Sequence, residues 1–350
     1  MNTFVIILTL FISVTADPLQ DLGAPDYTCD ASLMAPSKVK PTNVHSVRPA
    51  DINLVMALGD SLTAANGADA TDIIQVALQY RGLAFLAGGD KGLDKHITIP
   101  NILQKYNPNV FGQSYGIGSS EVWDVAYLNM GYPGALASSL PKEAQQLVDT
   151  LNFHSDESAV TAEIFAGSIQ KAIQIVKDNI PRVIVNLVTV FQFELVRQID
   201  DGVTFCEEFH IIECNCERNS NETIEVMKNI SQQFQIAQKE LETSGIFEAE
   251  DFTLVTQPFL NDVSTPPLLP NGSVNHQLFA PDCFHFSEMG HALVASWLWK
   301  NMLEPVGSKT TQANLSTPAI PLACPDTSCP FIRTTKNSQN CQQYFTPSLL

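Results

Sequence analysis

The chain has 350 residues, 45% of them apolar and 16% charged, so it can bury a large core as one big domain or two modest ones. Its formal net charge is -18. This charge argues against a nucleic-acid or strongly anionic partner, because both require clustered Lys and Arg, and it favours a neutral or zwitterionic ligand.

The N-terminus carries an apolar run that ends in small residues. The run "FVIILTLFIS" is followed by Val14, Thr15 and Ala16, a pattern typical of a signal-peptidase site. We predict that residues 1–16 are a removed secretory signal and that the mature protein is secreted. The alternative is a short buried helix. No later stretch offers about 20 uninterrupted apolar residues, so we expect no membrane-spanning segment.

The cysteine content fits an oxidising compartment. The eight cysteines are Cys29, Cys206, Cys214, Cys216, Cys283, Cys324, Cys329 and Cys341. Their even number permits complete disulfide pairing, and the connectivity stays open. Cys214 and Cys216 could instead be thiolate ligands, but no nearby Cys/His pair completes a tetrahedral site. Four Asn-x-Ser/Thr sequons, at Asn221, Asn229, Asn271 and Asn314, agree with secretion and glycosylation.

The hydrophobic pattern alternates strands with helices. The continuous apolar run at residues 54–58 predicts a strand buried on both faces, and the spacing in residues 71–82 predicts a helix. Further helices are predicted within residues 98–108, 140–153, 161–181, 221–245 and 282–303, and further strands within residues 182–190 and 251–259. This alternation predicts a parallel sheet with helices on both faces, an α/β sandwich. We expect residues 17–40 to be an N-terminal extension, and residues 307–350, which are polar with Pro and three cysteines, to be a tail or a small appended cap.

The stretch "GDSLTAANG" places Ser61 directly after the first predicted strand. In an open parallel sheet, ligands bind beyond the carboxyl ends of the strands. A helix that begins just after Ser61 would point free N–H groups and its positive dipole end at the hydroxyl. We therefore predict that the turn of Gly59 and Asp60 displays Ser61 as a nucleophile. The alternative is that Asp60 and Ser61 only cap a helix.

The stretch "PDCFHFSEMGH" supplies a general base for that serine. Asp282 lies three residues before His285, just ahead of a helix that Ser287 can cap. A carboxylate at this spacing can hold one imidazole nitrogen and leave the other free to accept a proton, which a serine nucleophile requires. The alternative is a histidine that is hydrogen-bonded locally for structural reasons. We expect His291 to be structural.

Together "GDSLTAANG" and "DCFHFS" resemble the SGNH/GDSL hydrolases, and specifically their phospholipase B family. Other similar stretches include "KPTNVHSVRPADI", "YRGLAFLAGGD", "PGALASSLPKEAQQLV", "IPRVIVNLV", "DFTLVTQPF", "KNMLEPVG" and "PFIRTTKNS", from about residue 40 to residue 338. The resemblance implies a flavodoxin-like three-layer α/β/α sandwich over residues 41–306. It implies Ser61 as nucleophile, His285 as base and Asp282 as its orienter. The N–H groups of Ser61 and of Gly134, within "NMGYPGA", would form the oxyanion hole.

The chain departs from the family in one block. The family's third block is a central strand that ends in Gly-x-Asn-Asp, and its Asn is the third oxyanion donor. Here "QQLVDTLNFHSD" and "AEIFAGSIQKAI" are almost contiguous, so the central strand and its Asn have no counterpart. Two interpretations follow. The chain is either a shortened form of a competent lipase, through splicing or an imperfect gene model, or a secreted relative that binds lipid with little turnover.

The resemblance implies cleavage of acyl esters of phospholipids or lysophospholipids through an acyl-Ser61 intermediate, with transient contact with a membrane or micelle surface and with no metal or cofactor. A catalytically impaired lipid-binding protein is the alternative from another functional class. A carbohydrate acetyl esterase is a further possibility within the fold, and the phospholipase-like flanking stretches argue against it.

Overall fold

A computed structural model describes residues 21–150, 162–200, 203, 205–206, 210, 223–317 and 319–345. The predicted signal sequence, Cys214, Cys216 and Asn221 lie outside these residues. Among the described residues, the helices are α1 (Ala31–Met34), α2 (Ile99–Tyr106), α3 (Trp123–Ala126), α4 (Leu140–Thr150), α5 (Ala162–Asn179), α6 (Leu195–Ile199), α7 (Ile224–Thr243), α8 (Glu288–Leu303) and α9 (Thr335–Gln339). The strands are β1 (Val183–Val188) and β2 (Phe252–Gln257).

The long helices begin and end at the capping residues present in the sequence. The Thr98 hydroxyl accepts the Asn101 N–H at the start of α2, and the Ser287 hydroxyl accepts the Gly290 N–H at the start of α8. Gly245, with φ of +73°, follows the end of α7. The helices predicted in these segments are confirmed. Thr161, which can cap the helix predicted within residues 161–181, lies outside the described residues.

The helix predicted at residues 71–82 is wrong. The structure has two short 3-10 turns there, Gln75–Ala77 and Arg81–Leu83. The backbone is engaged elsewhere: Leu78 C=O accepts the Gly67 N–H at 3.0 Å, and Tyr80 N–H donates to Ala65 C=O at 3.1 Å. These bonds tie the segment to the turn after Ser61, so its carbonyls and amides are not free for a helical ladder.

Strands β1 and β2 pair in parallel, with Val183 opposite Phe252 and Val188 opposite Gln257. All six residues of β2 are buried. Alternate residues of β1 contact two separate cores: Val183, Val185 and Leu187 pack with α4 and α5, whereas Ile184 and Val188 pack with α2 and α8. Helices therefore cover both faces of the sheet, and the predicted α/β/α sandwich is confirmed.

The segment at residues 54–58 is less regular than the predicted strand. It is joined in parallel to Phe111 and to Asn129 by isolated bridges. Val55 N–H donates to Phe111 C=O at 2.9 Å, and Ala57 N–H donates to Leu128 C=O at 3.0 Å. Leu54 is 46% exposed, so burial on both faces is wrong at this end.

In the described chain, the segment at residues 54–58 and strand β1 each have an edge without a partner strand. Alternate residues of a strand direct their amides to opposite edges, and the segment at residues 54–58 pairs along one edge only. Within the described residues, the backbone N–H groups that point to these two edges donate no hydrogen bond; they belong to Leu54, Met56, Leu58, Ile184, Asn186 and Val188. Both edges border the same two cores. This pattern agrees with the missing central strand that the sequence predicts.

Three disulfides join described cysteines: Cys29–Cys324, Cys206–Cys283 and Cys329–Cys341. The first connects the N-terminal region with the C-terminal region. In the part of the chain that the structure describes, no helix has both the length and the apolar composition that a membrane crossing requires.

Candidate active site

The structure brings Ser61, His285 and Asp282 together across 224 residues of sequence. The Ser61 Oγ lies 2.7 Å from His285 Nε2, and His285 Nδ1 lies 2.5 Å from Asp282 Oδ2. Asp282 is fully buried, His285 is 8% exposed and Ser61 is half-buried. An ionised carboxylate only accepts hydrogen bonds, so Nδ1 carries the ring proton and Nε2 is left to accept the Ser61 hydroxyl proton.

Hydrogen bonds within the loop before α8 hold the imidazole of His285 in place. Asp282 Oδ1 accepts the N–H groups of Phe284 and His285, each at 3.1 Å, and Ala280 N–H donates to His285 C=O at 2.7 Å. Cys283 has a left-handed backbone, with φ of +61°, and is bonded to Cys206. The disulfide therefore anchors the residue between the acid and the base.

Hydrogen bonding keeps Asp282 ionised. Burial of the carboxyl opposes ionisation, but the hydrogen bonds from His285 and from the two backbone N–H groups outweigh it and lower the Asp282 pKa below its usual value. The carboxylate is thus present at neutral pH to orient the imidazole.

The nucleophile turn requires glycine at its first position. Gly59 has φ of +150°, and a Cβ there would lie 2.3 Å from Thr63 Oγ1. No helix follows Ser61, so the predicted helix dipole at the hydroxyl is wrong. Residues 61–64 form turns instead, closed by Ala64 N–H to Asp60 C=O at 3.0 Å. The Asp60 carboxylate accepts the Leu62 N–H at 2.9 Å, so Asp60 does cap the turn locally.

The loop that carries Gly134 is fastened to this turn. Tyr132 N–H donates to Gly59 C=O at 2.9 Å, and the buried Arg81 guanidinium donates to Gly131 C=O at 2.6 Å. Gly134 is exposed, with φ of +75°. Within the described residues, the N–H groups of Ser61 and Gly134 bind no protein acceptor. The predicted role of these two groups as oxyanion donors therefore stays a prediction.

Sequence reasoning missed two buried groups beside the triad. His210 Nε2 lies 3.0 Å from Asp282 C=O, and its Nδ1 lies 2.7 Å from an Asp200 carboxylate oxygen. Glu143, at the start of α4, accepts the Gly59 N–H at 2.7 Å. Each acts across more than 70 residues of sequence, and no local motif marks such a contact.

Two described clusters have metal-ligand side chains, and protein atoms already satisfy both. Lys91 Nζ lies 3.2 Å from Asp21 and also pairs with Glu288, beside His96. The second cluster, beside His276, contains the two sulfurs of the Cys206–Cys283 disulfide.

His291 lies outside the triad. It is fully buried, its Nδ1 accepts the Phe85 N–H at 3.4 Å, and burial lowers its pKa well below the usual value. These contacts agree with the structural role that the sequence predicts for it.

A family model for the GDSL-like lipases and acylhydrolases matches residues 55–298, which include Ser61, Asp282 and His285. The chain belongs to this GDSL family. Curated relatives named "Phospholipase B1, membrane-associated" are 38% identical in Homo sapiens and 36% identical in Mus musculus. Each comparison covers 87% of this chain and 23% of the relative. This GDSL chain therefore spans about a quarter of the length of those relatives.

Proposed function

We propose that this chain is a secreted serine ester hydrolase of the phospholipase B type, which cleaves acyl esters of phospholipids or lysophospholipids. The observation that carries the proposal is the 2.7 Å contact between Ser61 Oγ and His285 Nε2, with Asp282 on the other imidazole nitrogen. The printed names of the relatives support the substrate class. The disulfides support an extracellular location.

In the proposed reaction, His285 Nε2 takes the Ser61 proton as Oγ attacks the acyl carbonyl carbon. The N–H groups of Ser61 and Gly134 donate to the carbonyl oxygen as it gains negative charge. The imidazolium then gives its proton to the departing glycerol oxygen, and the C–O ester bond breaks. Water, deprotonated by His285, attacks the acyl-serine, and the proton returns to Ser61 as the fatty acid leaves. No step requires a metal or a cofactor.

The test combines active-site labelling with turnover. The folded full chain should react with a fluorophosphonate probe at Ser61 and should release fatty acid from lysophosphatidylcholine micelles. Ser61→Ala should abolish both, while Ser119→Ala, at a half-buried serine on another loop, should change neither. A folded chain that neither labels nor releases fatty acid would overturn the proposal.

A second function is favoured by the missing third donor and the two open strand edges. Loss of one oxyanion donor costs about 2.7–4 kcal/mol, or 10²–10³ in turnover, in an enzyme where it was measured. The alternative is a lipid-binding protein with little catalysis. It predicts binding to phosphatidylcholine vesicles that Ser61→Ala leaves unchanged, together with no detectable ester release.

A further inference from the structure

The buried carboxyl of Glu143 lies directly behind the nucleophile turn. Glu143 is 2% exposed, and its Oε2 accepts the Gly59 N–H at 2.7 Å. The other oxygen, Oε1, is buried and binds no described group. One carboxyl oxygen accepts a backbone N–H and the other is buried without a hydrogen bond, which is unfavourable for the stability of the fold. This cost points to a role of Glu143 at the site.

The same bond connects both halves of the site. Gly59 lies two residues before Ser61, and its C=O accepts the N–H of Tyr132, two residues before Gly134. Glu143 is thus bonded to a residue of the nucleophile turn that also accepts a hydrogen bond from the loop of the second proposed donor. Glycine is required at position 59, and its flexible backbone benefits from an external tether.

We propose that Glu143 is a positioning residue. It holds the Gly59 backbone and thereby fixes the positions of Ser61 and Gly134 relative to each other. The expected effect on kcat rests on the proposed function. The expected protection of the Gly59 N–H from hydrogen exchange does not.

Within the described residues, two ionisable groups influence this carboxyl. Asp60, on the nucleophile turn, favours the protonated form of Glu143, and Arg81, on the second 3-10 turn, opposes it. Burial is the largest effect, and together these influences raise the Glu143 pKa to about 8. At neutral pH the side chain is therefore mostly a neutral acid that accepts the Gly59 N–H. Above pH 8 it becomes a negative charge behind the site where the oxyanion forms.

The experiment compares Glu143→Ala with Glu143→Gln, whose amide oxygen can still accept the Gly59 N–H. With p-nitrophenyl butyrate at pH 7, the Gln variant should keep its kcat within about threefold. The Ala variant should lose about 10²-fold in kcat with little change in KM, as expected when a reacting group is misplaced by about 1 Å. In the wild type, kcat/KM should fall above pH 8, and the Gln variant should lack this fall. Glu240→Gln, an exposed change of the same charge on α7, is the control.

Amide hydrogen exchange of the peptide spanning residues 57–62 gives a readout independent of turnover. Glu143→Ala should accelerate exchange at Gly59 at least tenfold, and Glu143→Gln should not. If the wild type shows this protection but hydrolyses no ester, the proposed function fails and the positioning role stands. If the Ala variant does not fold, the pH profile and exchange of the Gln variant decide. Unchanged kcat and exchange in Ala, or equal loss in Ala and Gln, would overturn the inference.

Discussion

Replacement of Asp282 by Asn tests whether the carboxylate sets the tautomer of His285. The carboxylate accepts three N–H groups: His285 Nδ1 at 2.5 Å and the backbone amides of Phe284 and His285 at 3.1 Å each. In Asp282→Asn, the side-chain oxygen can keep the two backbone bonds. The new NH₂ group then faces Nδ1 and donates to it. The ring proton must move to Nε2, where it faces Ser61 Oγ, and the imidazole can no longer accept the hydroxyl proton.

The expected loss is about 10⁴-fold in kcat, the size found for the corresponding change in a serine protease. At about 1.36 kcal/mol per tenfold change in rate, this corresponds to about 5.4 kcal/mol in the activation barrier. The fold should persist, because the substitution is isosteric and two of the three bonds remain.

The assay is kcat and KM for p-nitrophenyl butyrate at pH 7, together with thermal unfolding. Asp262→Asn, at an exposed aspartate, is the matched control. A loss of less than tenfold in kcat, in a variant that unfolds at the wild-type temperature, would refute the assigned tautomer.

Three further changes test the surroundings of the site. Gly59→Ala should abolish most ester hydrolysis, since its Cβ would lie 2.3 Å from Thr63 Oγ1; Gly245→Ala, with open space around it, should cost only about 1–2 kcal/mol of stability. Cys206→Ser with Cys283→Ser should lower the free energy of unfolding by about 2–4 kcal/mol and kcat with it, because the bridge closes a long loop and anchors the Asp282 segment; equal kcat would contradict this. Burial lowers the His45 pKa to about 4, so the unfolded chain takes up a proton near pH 6.5 and the folded chain does so only near pH 4. Urea unfolding should therefore show stability falling as pH drops from 6.5 to 4, and His45→Gln should flatten that slope.

The sequence predicted those parts of the fold and of the site that depend on contacts between residues close together in the chain. Thr98 and Ser287 cap the helices that their positions indicate. The three-residue spacing of Asp282 and His285 is itself enough to let the carboxylate reach the ring and two nearby amides. In such cases the interacting groups are neighbours in sequence, and a motif contains the whole interaction.

The missed features are long-range. Residues 71–82 have helical spacing of apolar side chains, yet their backbone groups bind the turn after Ser61, and tertiary bonds override the periodicity. Glu143 and Gly59 are 84 residues apart, and His210 and Asp282 are 72 apart. Periodicity and spacing carry no signal for such pairs, because a buried glutamate in the first turn of a helix has the same pattern as a solvated one.

The contacts within the triad are separate from the open strand edges, although Ser61 follows the segment at residues 54–58 that has one of those edges. Ser61 is held by the turn after residue 58, and His285 by a loop closed through its own backbone and the Cys206–Cys283 bond. The contacts that join the three side chains do not pass through the open edges. We therefore expect activation of the nucleophile to persist, and stabilisation of the oxyanion to rely on the two proposed backbone donors. Because one missing donor is worth 10²–10³ in turnover and a missing base far more, the chain should hydrolyse esters slowly rather than not at all.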